Sequence, residues 1–334
     1  MTVTEARPAS SLPRIRSLAG AMRASLLDGA VARMRVPPRE TVEGPAGGKF
    51  ISMPAVSPDH DLYVNKVATI VSSPVPGHGS TVTAVVPMFS VSTGRFLGTL
   101  DGTAVTNLKC AAVTALVTDA CAAPDSRVLA ILGSGVQARQ QFLGVSAVRD
   151  LAEIRVWSRT ARNAEAFARD IAETARTVHG RPVRVVVCAS PEEAGRGADV
   201  LSTATLSTDP LPLPEPLPEH VHINCMGAHT TASREVSGDL LRSSLVVVED
   251  LGTAIAEAGG SHADAIELAA LVTSEAAHLA RRRTLFASTG CAYLDLITCA
   301  HLVNYPDSAG EFSETGPRPG SVTQAPVDGD ITRQ

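Results

Sequence analysis

The stretch that most restricts the fold is RVLAILGSGVQARQQF, residues 127–142. Its first part, Val128 to Leu132, is a continuous apolar run. Such a run suits a strand buried on both faces, as in a parallel sheet, better than a half-exposed antiparallel strand. Gly133, Gly135 and Ala138 follow in G-x-G-x-x-A spacing, where that strand must turn into a helix. In this context the first glycine permits the tight turn and the second lets the main chain approach a pyrophosphate. The alanine lets the helix pack closely on the strand. The helix start adds N–H groups that favour an anion. Gly133, Ser134, Gly135, Val136 and Gln137 are therefore candidate dinucleotide-binding residues. A glycine turn with no ligand is the alternative reading.

Downstream, apolar strands and helices alternate. A helix is expected at 136–149, then a strand in EIRVWS (153–158), a helix at 161–176, a strand in VRVVVCA (183–189) and a short helix at 191–196. DVLSTAT (199–205), HINCMG (222–227), a helix at 237–243, SLVVVED (244–250) and a last long, apolar helix at about 284–304 complete the series. This alternation predicts a doubly wound parallel sheet, hence an α/β protein. The last helix has the character to cross back onto the first part of the chain.

That first part has another texture. A helix is expected at 16–33, followed by KFISMPAV (49–56), LYVNKVATIV (62–71), TVTAVVPMFSV (81–91) and RFLGTLDG (95–102), separated by turn residues. These predict a mostly antiparallel sheet, closed by a helix at 103–121. Pro87, inside the third run, argues for an edge strand or a bulge. Residues 1–13 and the Gly-, Pro- and Ser-rich tail from Pro306 are expected to be disordered.

The end of the second parallel strand bears on which dinucleotide fits. An NAD site usually presents an acid there. This chain presents VWSRT, with Ser158, Arg159 and Thr160 in the acid's place and Arg162 close behind. A guanidinium and hydroxyls suit a 2′-phosphate, so NADP(H) is preferred and NAD(H) possible. A plain surface arginine is the other reading of Arg159. Thr203 and Thr205 lie at the carboxyl end of a strand, where dinucleotides bind.

Charge and cysteine use exclude several classes. The net charge is −5, so no basic face for nucleic acid is expected; the basic run ARRRT (280–284) reads as a solvated patch. No apolar run reaches the length of a membrane span, and the start lacks the apolar core of a secretory signal. Six scattered cysteines without a CxxC pair read as free thiols in a reducing cytoplasm, with no disulfide frame and no metal site. Lysine is nearly absent: Lys49, Lys66 and Lys109 are the three in the chain. Lys109, on the helix containing TNLKCAAVTAL, thus stands out.

Taken together, these segments resemble the ornithine cyclodeaminase/mu-crystallin family. The likeness spans most of residues 30–305 and rests on MRVPPRE, FISMPA, NKVATIV, TGRFLGTLDGTAVTNLKCAAVTAL, ILGSGVQARQQ, GADVLSTAT, HINCMGA and TLFASTGCAYLD, in that order. It implies a smaller α+β substrate and dimerisation domain over 14–120, completed by about 290–305. A Rossmann-type NAD(P) domain would occupy 121–289, and a homodimer is implied. Members act on C–N bonds at an amino acid's α-carbon. They include cyclodeaminases, alanine and arginine dehydrogenases and ketimine reductases; one branch also serves as a lens crystallin and hormone binder.

The resemblance also assigns residues. Arg39 and Lys66 match the family's substrate-carboxylate arginine and its lysine. Lys66 is expected to polarise or protonate the imine or carbonyl. Lys109 falls where a second arginine is usual; a point charge there gives less carboxylate geometry and more room. It implies either an altered substrate or a one-bond contact to the same carboxylate. His229 stands where cyclodeaminases carry an aspartate, as an acid–base group, a spacer or a donor. Met53, Thr81 and Asp101 are expected at the substrate, Thr81 also near the nicotinamide and Asp101 orienting the domain junction or serving structure alone. Met226, Gly227, Ser288 and Gly290 are expected at the cofactor. His222 reads as structural, and Cys110 as a small packed residue.

The leading expectation is an NADPH-dependent oxidoreductase that reduces an imine of a small amino-acid-like substrate. The missing aspartate, and the lack of an acid in FISMPA, weigh against the alternative, a redox-neutral cyclodeaminase. A third reading is a crystallin-like protein that binds NADPH and a small ligand without turnover.

Overall fold

The computed structural model describes residues 2–3, 8–44, 47–71, 82–227, 230–273, 279–304 and 312–313. A two-residue strand, β1 (Thr2–Val3), pairs with β15 (Phe312–Ser313). Of the tail expected to be disordered, Phe312–Ser313 form β15, and the rest lies outside the described residues. Helix α1 (Pro8–Leu27) starts earlier than expected, inside the Pro- and Ser-rich segment. It stops at Leu27, and a separate turn of helix, α2 (Ala30–Arg33), follows Gly29 at φ 73°.

The first sheet is antiparallel and five-stranded, in the order β2 (Glu40–Glu43), β3 (Lys49–Ser57), β4 (Leu62–Ile70), β5 (Val82–Phe89), β6 (Phe96–Asp101). Its alternation is clean: Met53, Ala55, Leu62, Val64, Ala84, Val86, Met88 and Leu100 point inward and are buried. That pattern gives one packed face and one open face. Strand β2 escapes sequence reading because all four of its residues are exposed, so burial imposes no period on it. Pro87 is not on an edge; β5 lies between β4 and β6. The irregularity it implies is real, with a register shift against β6 at Met88/Phe89. On the other side, the β4–β5 pairing skips from Val64↔Met88 to Val67↔Val85. Proline has no N–H to give to that ladder.

Helix α3 (Gly102–Cys121) runs from this sheet to the second one. Asp101 caps it, its Oδ1 accepting from Thr103 N at 2.8 Å and Ala104 N at 3.0 Å. Small side chains cover α3 and let it be buried on nearly all sides. It crosses α4 (Val136–Val148) closely. A Cβ on Gly144 would sit 2.5 Å from Ala111 O, so the contact requires glycine.

The second sheet has eight parallel strands: β7 (Val128–Leu132), β8 (Glu153–Trp157), β9 (Arg184–Val187), β10 (Val200–Thr203), β11 (His222–Cys225), β12 (Leu245–Val248), β13 (Ile266–Glu267) and β14 (Thr284–Ala287). Their spatial order is β13-β12-β14-β11-β10-β7-β8-β9. The chain reverses direction across the sheet between β7 and β10, and ligands of such sheets bind at that switch point, beyond the carboxyl ends of the strands. Helices α5 (Ala161–His179), α6 (Pro191–Gly195), α7 (Gly238–Arg242), α8 (Leu251–Ala258) and α9 (Leu268–Thr273) fill the connections.

The expected helix at 284–304 is two elements. Thr284–Ala287 is strand β14, inserted between β11 and β12, and the helix α10 is Ala292–Asn304. Four buried residues beside a longer apolar run carry no period that separates strand from helix. As expected, α10 packs on the first part of the chain, against α1, α3, β3 and β4. No helix of the described residues is long and apolar enough to cross a membrane.

Candidate active site

Lys66 points inward from β4, next to Met53 in the β3–β4 register. Lys109 points in from the second turn of α3, and Asp295 from the first turn of α10. The three meet in the core. Lys66 Nζ lies 2.7 Å from Asp295 Oδ2, and Lys109 Nζ lies 3.1 Å from Oδ1. Beyond these contacts neither Asp295 oxygen has a hydrogen-bond partner among the described residues. An unpaired carboxylate at this depth would be costly. Asp295 gained no role in the sequence reading, because nothing local signals that an acid in an apolar helix faces two distant lysines.

The cluster has two cations and one anion, and that sets its protonation. Burial opposes the Asp295 charge, but Lys109 and Lys66 outweigh it and hold the carboxyl below its usual range. Burial pulls both ammonium groups down. For Lys109 the attraction of Asp295 wins, and its affinity for the proton rises. For Lys66 burial wins, Asp295 opposing it and the Lys109 charge adding to it, and the pKa is lowered. The shorter contact belongs to Lys66, yet one carboxylate fully offsets only one ammonium in this site. Lys66 therefore holds its proton less tightly than Lys109 does. Burial pushes the neighbouring Cys110 thiol up, so it stays a packed, protonated side chain.

Loop 288–290, which leaves the carboxyl end of β14, forms one wall. Glu249, at the end of β12, gathers it: Ser288 Oγ donates to Oε1 at 2.5 Å, Thr289 N to Oε2 at 3.0 Å and Gly290 N to Oε1 at 3.2 Å. Gly290 adopts φ 73° and lies against Lys109, with an added Cβ 3.6 Å from Nζ. From the other side Arg39 Nη2 donates to Thr289 O at 2.5 Å and Gly290 O at 3.1 Å. Its Nη1 lies 2.7 Å from Glu257 Oε1 on α8, while its Nε is buried with no partner. A cavity of about 260 Å³, lined by Val36, Pro37, Arg39, Thr253, Glu257 and Tyr293 among others, opens here. Met53, Arg39 and Gly290 line a smaller recess beside it.

At the switch point the glycine loop has the geometry a dinucleotide needs. Gly133 adopts φ 130°, and a Cβ there would lie 2.3 Å from Ala204 O. A Cβ on Gly135 would meet nothing within 4 Å, which leaves room beside the start of α4. Ala138 is fully buried. The Gln137 Oε1 is buried without a partner, and Ser134 Oγ lies 2.9 Å from Ser158 Oγ. Val136, Arg159, Thr160 and Arg162 are exposed. These features fit a bound dinucleotide.

Thr203 and Thr205 have a partner that sequence reading missed. The buried Glu235 accepts from Thr203 Oγ1 at 2.7 Å, from Thr205 N and Oγ1 at 2.6 Å each, and from Gly227 N at 2.8 Å. A Cβ on Gly227 would sit 2.3 Å from that carboxylate. Glu235 thus ties the loop after β10 to the loop after β11, next to the half-buried Met226. Thr81 and His229 lie outside the described residues. Asp101 spends its Oδ1 on the α3 cap. His222 is fully buried between Thr284 and Asn224, and burial lowers its pKa to about 3, so it is a neutral structural group. All six cysteines are free and buried, and no metal-holding cluster is found among the described residues.

Comparison with known proteins places this geometry. The profile of the ornithine cyclodeaminase/mu-crystallin family matches residues 3–306. The ketimine reductase mu-crystallin of Mus musculus is 34% identical over 267 residues, 78% of this chain and 80% of that one. The Delta(1)-pyrroline-2-carboxylate reductase of Bacillus cereus is 29% identical over 264 residues, 75% and 79% of the two chains. A solved lysine cyclodeaminase, described with L-lysine, L-ornithine and L-2,4-diaminobutyric acid, superposes with a TM-score of 0.75 at 26% identity, covering 87% and 86%.

Proposed function

Since the chain belongs to the ornithine cyclodeaminase/mu-crystallin family, we propose that it is an NAD(P)H-dependent oxidoreductase that reduces the C=N bond of a small carboxylated imine. The imine is a cyclic ketimine, or one formed from a keto acid and an amine. The observation that carries this reading is the buried Lys66–Asp295–Lys109 cluster beside Arg39. A reduced nicotinamide, when bound, would supply the hydride that the imine carbon takes up. Arg39, which lines the cavity, anchors the substrate carboxylate through its guanidinium. Lys66 gives its proton to the imine nitrogen, and its lowered pKa makes that transfer easier than from an ordinary lysine. Asp295 keeps Lys109 charged, so the site retains one fixed cation while Lys66 exchanges its proton.

The names of the relatives support the class of substrate: one is a ketimine reductase, another a pyrroline-2-carboxylate reductase. The likeness to a lysine cyclodeaminase favours a second, redox-neutral reading. Met53 argues against it, since a diamino acid would gain nothing from an apolar side chain at that place. NADP(H) is the preferred cofactor on this reading: Arg159 and Arg162 are exposed and carry no ion pair among the described residues, so both are free for a 2′-phosphate. A homodimer is supported by the open face of the first sheet, where Val42, Phe50, Val67 and Val85 are exposed, a surface of the kind partners cover.

The test is oxidation of NADPH by the purified protein with cyclic ketimine carboxylates and with 2-oxo acids plus amines, NADH being run in parallel. Steady net consumption is the expected result. Ammonia release from ornithine or lysine without net consumption would move the assignment to the cyclodeaminase.

A further inference from the structure

The Arg39 guanidinium is already held by a carboxylate of the protein. Its Nη1 lies 2.7 Å from Glu257 Oε1, and Nη2 is fixed by the carbonyls of Thr289 and Gly290. Arg39 is the only hydrogen-bond or ion-pair partner of Glu257 among the described residues. The two side chains are 21% and 29% exposed, so the pair is partly shielded from water. Pro37 and Pro38 precede Arg39 and restrict the loop that carries it. Glu257 belongs to the last turn of α8, an element of the parallel-sheet half. The pair therefore spans the cavity from one half of the protein to the other, and both residues line it.

With Nη2 bound to the loop carbonyls and Nε buried, a substrate carboxylate in the cavity must approach the Nη1 edge that the Glu257 carboxylate holds, and two like charges at that range repel. One of them must yield. We propose that Glu257 is an internal competitor for Arg39, a specificity residue that lowers affinity for every carboxylated ligand and that only a well-placed substrate carboxylate displaces. This rests on the reading of Arg39 as the carboxylate anchor. Glu257 touches no reacting atom, so it acts on binding rather than on hydride or proton transfer. Removing its charge should lower KM and leave kcat nearly unchanged.

The experiment is a calorimetric titration of the NADPH-loaded protein with L-proline, the product of reducing a five-membered cyclic ketimine carboxylate. Wild type, Glu257→Gln and Glu257→Ala are compared, with melting temperature and NADPH affinity as controls of folding. Both variants are expected to bind proline more tightly by roughly three- to tenfold, the effect of removing a partly exposed ionic competitor. Unchanged or weaker binding in both variants, with wild type binding normally, overturns the competitor and leaves the carboxylate anchor standing. No proline binding by any of the three proteins, with NADPH still bound, overturns the anchor itself and the competitor with it.

Discussion

Lys66 and Asp295 meet at 2.7 Å in a site where Asp295 has no exposed surface. The contact joins β4 of the first sheet to the last helix, two segments far apart in the chain. It keeps a lysine buried that would otherwise shed its proton, and it leaves that proton loosely held.

Removing the lysine tests its role. Lys66→Ala should lower kcat by about 10²–10⁴, the usual contribution of a general acid, with NADPH affinity nearly unchanged because Lys66 lies away from the glycine loop. A variant that turns over normally would take Lys66 out of the mechanism.

Asp295 should tune that acid. In the reducing direction Lys66 must carry its proton, so activity is lost as pH rises through its pKa. That pKa is lowered, which puts the alkaline limb below the ordinary lysine range. The Asp295 charge raises the Lys66 pKa, so Asp295→Asn should move the limb to still lower pH. A pH profile of kcat/KM reads this; an unmoved limb would show that another group sets it.

Cofactor preference offers an independent check. Arg159→Asp should lower the NADPH-to-NADH ratio of kcat/KM by roughly tenfold or more, since a carboxylate repels a 2′-phosphate and accepts from a 2′-hydroxyl. An unchanged ratio would make Arg159 an ordinary surface residue.

His222 should make the fold acid-sensitive. Its pKa falls to about 3 in the folded protein, against about 6.5 when unfolded. Below that unfolded value the unfolded chain binds more protons, so stability is complete above it and declines as pH falls towards the folded value. Thermal melting of wild type should drop progressively between these limits. His222→Gln should be less stable near neutrality but flatter across that range; an equally steep fall would assign the acid sensitivity to other groups.

Much of this protein was legible in its sequence where the signal is local. The glycine loop needs only one strand and one turn of helix, and the strands around it are continuous apolar runs. Lys66 and Arg39 were singled out only through the motifs that carry the family resemblance; the structure pairs Lys66 with Asp295 of the last helix and places Arg39 at the cavity. The acids were not. Asp295, Glu249, Glu235 and Glu257 take their meaning from partners on other elements, such as loop 288–290 for Glu249 or Arg39 for Glu257. A short, fully exposed strand (Glu40–Glu43) and a four-residue buried one (Thr284–Ala287) also escaped, because neither burial on no face nor burial on both leaves a period to read.

The most direct measurement follows the hydride. NADPH carrying deuterium at the transferable nicotinamide position is incubated with the enzyme and a cyclic ketimine carboxylate, and the product is analysed by mass spectrometry. One deuterium per molecule is expected, at the α-carbon of the cyclic amino acid, with one NADPH consumed for each. Product without deuterium, or a product formed from a diamino acid with ammonia released and no net NADPH oxidation, would contradict the proposed imine reduction.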